Sequence, residues 1–311
     1  MLSSRFFRFF RYLNLVTIKQ TVVRAMQRRL VGLSGEMAYN AMLALFPAIL
    51  AIFTAIGLFE NSLQQTFSNL ASQLKDLVPN QEAWNLISNF ANGINLTKSR
   101  SLFSLSFLLA IWVSSGALSA AMNALDEIHE IPRSQRRPFW KAKLVSIGLT
   151  IGSILLLVTA SFLVFISDWL LGLVVHQSKD PSVSQLLLRV WQLLRWPIAL
   201  SIIATSSAFI YRFGPSRWSH GTPLMPGALL AAISWAIVSA LFRLYVVNFG
   251  NYNKVYGAVG AVIVLLLWFQ MTSLVLLLGD QLNVTVGEAM QKARSKSRLR
   301  KATTKERSQN Y

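Results

Sequence analysis

The chain has 311 residues, of which 53% are hydrophobic and only 14% charged, and its formal net charge is +18. Soluble domains carry about 25% charged residues, so the polar surface is too small to cover a water-soluble protein of this length. There is no cysteine, which excludes disulfides, thiolate metal sites and cysteine nucleophiles.

The first residues alternate arginine with aromatics, from Arg5 and Phe6 through Phe10 and Arg11. No apolar core followed by a small-residue cleavage site is evident, so the first membrane helix is expected to act as the targeting signal. Residues 20–31 set Val22, Val23, Met26 and Leu30 against Arg24, Gln27 and Arg28. That pattern predicts a basic interfacial helix, with Arg24, Arg28 and Arg29 placed to meet anionic lipid headgroups.

A membrane-crossing helix needs about 20 mostly apolar residues. Six stretches qualify: 33–59, 101–125, 141–167, 186–211, 224–249 and 257–286. The fourth is the least apolar, because it contains Arg189 and Arg195, and five spans is the alternative count. Between the first two spans, Leu63, Phe67, Leu70, Leu74 and Leu77 recur at helical spacing, followed by Ala83, Ile87, Phe90 and Ile94. These runs predict an amphipathic helical hairpin on the outer surface. The expected fold is all-α: a polytopic bundle of about six spans forming one membrane domain over residues 1–290. A basic tail at 291–311, poor in large apolar residues, is predicted to be disordered.

The positive charges orient the bundle. One set of segments holds Arg5 to Arg29, Arg133 to Lys143, Arg212 with Arg217, and the tail from Lys292 to Arg307. The opposite segments hold only Lys75, Lys98, Arg100, Lys179, Arg243 and Lys254. By the positive-inside rule both termini are cytoplasmic. Topology and headgroup attraction account for the net charge, so no nucleic-acid partner is expected. The expected partners are the bilayer and its anionic headgroups, and the pattern is compatible with a homo-oligomer.

Small residues repeat at four-residue spacing in several spans: Ser106 to Ala121, Gly148 with Gly152, and Gly227 with Ala231. They are read as close helix contacts, since helices in lipid meet through packing rather than a hydrophobic drive. Ionisable residues within spans are costly and therefore mark candidate function. Glu36 lies one turn into the first span, with Asn40 at i+4 and Pro47 further on. Asp280 lies in the last two turns of the sixth, so Glu36 and Asp280 are expected at similar depth, near Asp126 and Glu127. Arg195, followed by Trp196-Pro197, lies in the outer half of the fourth span, and Arg243 lies one to two turns from the outer surface. Glu36, Asn40, Pro47, Arg195, Arg243 and Asp280 are the candidates for a substrate or ion path. The competing readings are ion pairs at the cytoplasmic rim for the carboxylates and snorkelling for Arg243.

No catalytic, metal or cofactor site is predicted, and the chain is not expected to be an enzyme. His129, His176 and His220 lie on separate loops without metal-ligand spacing, and there is no glycine-rich phosphate loop. Asp126 and Glu127 are adjacent, which points them in different directions on a helix.

Several stretches together resemble one family. They are Gly35-Glu36-Met37-Ala38-Tyr39-Asn40-Ala41 running to Leu45-Phe46-Pro47, Tyr211-Arg212-Phe213-Gly214-Pro215 with Trp218, and Pro226-Gly227-Ala228. Tyr245, Tyr256-Gly257-Ala258-Val259-Gly260, Trp268 and Leu278-Gly279-Asp280-Gln281-Leu282-Asn283 complete the set. In this order they resemble the YihY/virulence factor BrkB family, also labelled ribonuclease BN, over residues 20–290. The resemblance implies a bacterial inner-membrane protein of about six spans. The family usually reads Gly-Ala-Glu-Leu-Asn where this chain has Gly279 to Asn283, so the acid is shifted by one position, about 100° around the helix. The ribonuclease label finds no support in these residues. The leading functional expectation is a transporter or flippase-like permease for an anionic or polar envelope molecule or ion. The alternative is a non-transporting membrane scaffold or partner-binding envelope protein.

Overall fold

A computed structural model describes residues 9, 12–58, 100–177, 181–217, 223–248 and 252–309. The outer hairpin expected at 63–78 and 83–94 lies outside the described residues. Seven long helices are described: α1 (Leu15–Gln27), α2 (Leu30–Leu58), α3 (Arg100–Ile128), α4 (Phe139–Gln177), α5 (Pro181–Phe213), α6 (Met225–Asn248) and α7 (Tyr252–Gln309), with a short 3₁₀ turn at Arg133–Gln135. Among the described residues, five stretches are long and apolar enough to cross a membrane: Phe107–Ile128, Phe139–Leu156, Arg189–Phe213, Met225–Val247 and Val259–Ala293. The 29-residue α2 corresponds to the first predicted span.

The helices pack as a closed ring. Each of α2 to α6 lies against the next in sequence, α6 lies against α7, and α7 closes back onto α2 while also touching α3 and α1. The surface of this ring is apolar: Leu108, Leu155, Leu193, Trp196, Ile237, Leu241 and Val259 are all exposed. The interior at one end is mixed, with Leu125, Ile128, Tyr211, Leu277 and Val286 buried alongside Asp280, Gln281, Asn283 and Thr285. Apolar outside and polar-bearing inside is the arrangement a bilayer solvent selects. Arg24, Arg28, Arg136, Arg137 and Arg217 gather at this same end, which we call the basic end.

Close contacts use the small residues. A β-carbon placed on Gly279 of α7 would lie 2.7 Å from the Ala231 methyl and 2.9 Å from the Gly227 carbonyl of α6. On Gly152 of α4 it would lie 2.9 Å from the Phe209 ring of α5, whereas Gly148 faces open space. The four-residue repeat therefore packs through Gly227 and Ala231 in α6, but through Gly152 alone in α4.

Local chemistry sets the helix ends at the basic end. Asn14 caps α1, its side-chain oxygen accepting from the Thr17 amide at 2.9 Å. Thr17, Thr21 and Ala25 form the buried face of α1, which lies against α7, while Val16, Val22, Val23 and Met26 are exposed. An interfacial helix with its apolar face turned to lipid has this form. The chain turns into α2 through Arg29, whose φ of 54° is left-handed.

The carboxyl terminus differs from expectation. The predicted disordered tail at 291–311 is helical through Gln309, as a continuation of α7. Residues 288–309 contain no glycine or proline and are rich in Ala, Gln, Lys and Arg, all strong helix formers. Extending an existing helix carries no nucleation cost, so the segment needs no apolar face to remain helical. At 58 residues α7 measures about 87 Å, well beyond the hydrocarbon thickness.

Candidate functional site: a polar centre at the basic end

Four residues in one stretch of α7 tie that helix to the rest of the basic end. Gly279 lets the Tyr211 hydroxyl approach: a β-carbon there would lie 2.5 Å from it. That hydroxyl donates to the Leu276 carbonyl at 2.6 Å, joining α5 to α7. Asp280 meets His129, which follows the last residue of α3, with Oδ2 2.9 Å from the imidazole Nε2. Gln281 accepts from the Arg28 guanidinium at 2.8 Å, reaching the α1–α2 junction. Asn283 accepts from the Gly227 amide at 2.8 Å and donates to the Leu224 carbonyl at 3.1 Å. It thus satisfies an amide in the first turn of α6 that has no partner within its own helix.

The turn after α3 brings His129 into place. The Ile131 amide donates to the Asp126 carbonyl at 2.9 Å and the Glu130 amide to the Glu127 carbonyl at 3.2 Å. These are the paired bonds of a Schellman C-cap, with Glu130 at the position glycine usually fills. Its φ is 54°, a conformation that costs a non-glycine residue about 1–2 kcal/mol. The side chain offsets part of that cost through an ion pair with Arg28. Arg28 also donates to the Ile128 carbonyl, so one guanidinium joins α7, the end of α3 and the turn.

A second group of contacts lies where α3, α4 and α5 converge. Asp126 accepts from the Ser216 amide at 2.6 Å and from the Ser216 hydroxyl at 2.7 Å. Arg137 donates to the carbonyls of Phe213, Gly214 and Pro215, neutralising the negative end of α5. Burial pushes the Arg137 guanidinium down from its usual range, and the nearby Asp126 charge opposes that shift. Glu127, one residue after Asp126, points away and pairs with Arg136 at 2.7 Å. The adjacent acids face different partners, as the helical geometry predicts. Arg24 pairs with Glu288 at 2.8 Å, and this hydrogen bond raises its pKa against the effect of burial.

The structure separates the path candidates. Asp280 is fully buried in the polar centre, and Oδ1 has no hydrogen-bond partner among the described residues. Glu36 is exposed on α2. Its neighbour Gly35 faces Gln270 of α7, about three turns before Asp280, so the two carboxylates do not share one level. Asn40 donates back to the Glu36 carbonyl at 2.8 Å and packs on Gly116 of α3. Pro47 interrupts the α2 hydrogen-bond ladder further along. Arg243 is exposed on α6, and the Arg195 side chain lies outside the described residues. Of the headgroup candidates, Arg24 and Arg28 point inward to Glu288 and to Gln281 with Glu130, while Arg29 is exposed.

His129, Gln281, Asn283 and Arg137 were not singled out by sequence reasoning. Gln281 and Asn283 stand beside Asp280 in the stretch that carries the family resemblance, which was the available signal. His129 is a single loop histidine with no spacing cue. Among the described residues, no group of three or more His, Cys, Asp or Glu is placed to hold a metal ion.

A ring of apolar helices around a buried polar centre defines a multi-pass α-helical membrane protein. The chain belongs to the family described as Virulence factor BrkB, whose profile matches residues 21–304. It is 28% identical over 250 residues to the ribonuclease-like protein YfkH of Bacillus subtilis (strain 168), covering 80% of this chain and 87% of that one. It is 28% identical over 278 residues to a UPF0761 membrane protein of Tolumonas auensis, covering 85% and 83%. A UPF0761 membrane protein of Photobacterium profundum matches at 28% over 296 residues, covering 88% and 84%. No solved structure matches the chain.

Proposed function

We propose that the protein is a permease or flippase-like carrier for an anionic or polar envelope molecule or ion. In this reading it sits in the bacterial inner membrane with both termini in the cytoplasm, and the basic end faces inward. The observation that carries the reading is Asp280: a carboxylate inside a membrane helix, fully buried, with one oxygen on His129 and the other without a hydrogen-bond partner among the described residues. Buried ionisable groups in membrane helices are costly and concentrate on ion and proton pathways. Pro47 and Pro197 interrupt α2 and α5, and such interruptions are tolerated where protein or water re-satisfies the backbone.

A non-transporting scaffold is the second reading. It is favoured by the use of Gly279, Gln281 and Asn283 purely as contacts between helices. Proteoliposomes separate the two. The purified chain is reconstituted with a trapped pH-sensitive dye and with NBD-labelled phosphatidylglycerol whose inner-leaflet pool is read by dithionite. Proton flux or lipid exchange above empty vesicles, reduced at least tenfold by Asp280→Asn, supports the carrier. Neither flux above background, in folded protein, supports the scaffold.

A further inference from the structure

A cavity of about 210 Å³ opens at the basic end between α3, the loop before α4 and the Ser216 segment, apart from the His129–Asp280 pair. Its polar lining comes from Ser119, Asn123 and Asp126 on one side and Arg136, Arg137 and Lys143 on the other. Its single lining carboxylate, Asp126, is already held by the Ser216 amide and hydroxyl. Arg136 is matched by Glu127. Arg137 donates only to neutral oxygens, three carbonyls of the α5 end. Lys143 donates to the Ser115 hydroxyl at 2.6 Å and to the Trp112 carbonyl at 3.1 Å, and its ammonium lies 4.3 Å from the centre of the Trp112 ring. Neither Arg137 nor Lys143 has a carboxylate within ion-pair reach among the described residues. Arg136, Arg137 and Lys143 thus face Asp126 as the one carboxylate of the lining, and the cavity is net positive.

Its depth is set by α4. The crossing stretch of that helix starts at Phe139, and Phe139 and Trp140 are both largely exposed. Aromatic residues at the end of a crossing helix settle at headgroup level. Phe139 and Ala142, in the first turns of α4, also line the cavity, adding the positive end of a helix dipole to the cations. The Ser119 hydroxyl and the Asn123 amide can donate to an oxyanion. The fit is to a compact, multiply oxygenated anion at the membrane surface.

We propose that this cavity binds a phosphate ester, with Lys143 and Arg137 as its principal charge partners and Ser119 and Asn123 as hydrogen-bond donors. The ester is presented either by an anionic phospholipid headgroup or by a soluble phosphate compound. The site is independent of the transport reading, because a carrier or a scaffold could equally keep it.

Trp112, against Lys143, supplies an internal reporter. The full chain in a zwitterionic detergent is titrated with short-chain phosphatidylglycerol, with short-chain phosphatidylcholine, and separately with glycerol 3-phosphate, following tryptophan fluorescence and, independently, bound ligand by native mass spectrometry. Saturable binding of one phosphate ester is expected, weakened at least fivefold by Lys143→Gln and by Arg137→Gln. It should be unchanged by Lys141→Gln, whose side chain is exposed and outside the cavity lining. Preference for phosphatidylglycerol over glycerol 3-phosphate assigns a lipid source, and the reverse preference assigns a soluble one. Ser119→Ala, which removes a proposed donor and leaves every cation in place, keeps the test decisive if a charge variant does not fold, and it too should weaken binding. Binding that is equal in wild type and both cavity variants, or no binding of any phosphate ester by folded protein, overturns the proposal.

Discussion

Oδ2 of Asp280 lies 2.9 Å from Nε2 of His129, and the two side chains are 0% and 3% exposed. One comes from the membrane helix that closes the ring, the other from the turn that ends α3. Removing one partner of a buried hydrogen bond leaves the other unsatisfied, at a cost of about 1–3 kcal/mol. His129→Ala is therefore expected to destabilise the folded protein by about that amount, measured by thermal unfolding in detergent. The double variant His129→Ala/Asp280→Asn should be more stable than the sum of the two single losses. Strict additivity would show that the two groups do not interact energetically.

Gly279 is the second test, because its contacts leave no room for a side chain. Gly279→Ala would set a methyl against the Tyr211 hydroxyl and the Ala231 methyl, and overpacking of this kind costs about 1–3 kcal/mol. Gly148→Ala makes the opposite prediction. Among the described residues nothing lies within 4 Å of a β-carbon there, so the gain in helix propensity, about 0.5–1 kcal/mol, should appear as added stability. Equal melting temperatures for the two variants would contradict the packing of α6 on α7.

The architecture was legible in the sequence where hydrophobic length decides it. Each predicted span falls on a long helix, because crossing a bilayer demands an uninterrupted apolar run. The tail was not legible as helix, because the segment after Gly287 has high helix propensity without an apolar face, and pattern reading relies on the face. Asp280 was legible as costly from position alone. Its partner was not, since His129 is brought to it by the Glu130 turn, and a left-handed glutamate has no sequence signature. The expected common level of Glu36 and Asp280 assumed equal distances from the helix ends. The contacts of Arg28 with Gln281 and of Gly35 with Gln270 show how α2 and α7 are offset along their shared interface.

Orientation has its own check. A reporter fused after Tyr311 and another at the amino terminus should both read as cytoplasmic, and a reporter near Asn80 as external. A cytoplasmic signal near Asn80 would contradict the inward placement of the basic end.

A carrier requires the bundle to enclose a wet, polar path, and water access measures that without knowledge of the substrate. The chain has no native cysteine, so single cysteines report one position each. Ser201 is exposed on α5, one turn beyond Pro197, whose carbonyl accepts from the Ser201 hydroxyl at 2.7 Å. In membranes, Ser201→Cys or Ala199→Cys should react with an impermeant thiol reagent supplied from the side opposite the basic end, as Ser178→Cys should. Complete protection of both positions beside full labelling at Ser178→Cys would place this face of α5 in lipid or dry protein, and would contradict the carrier.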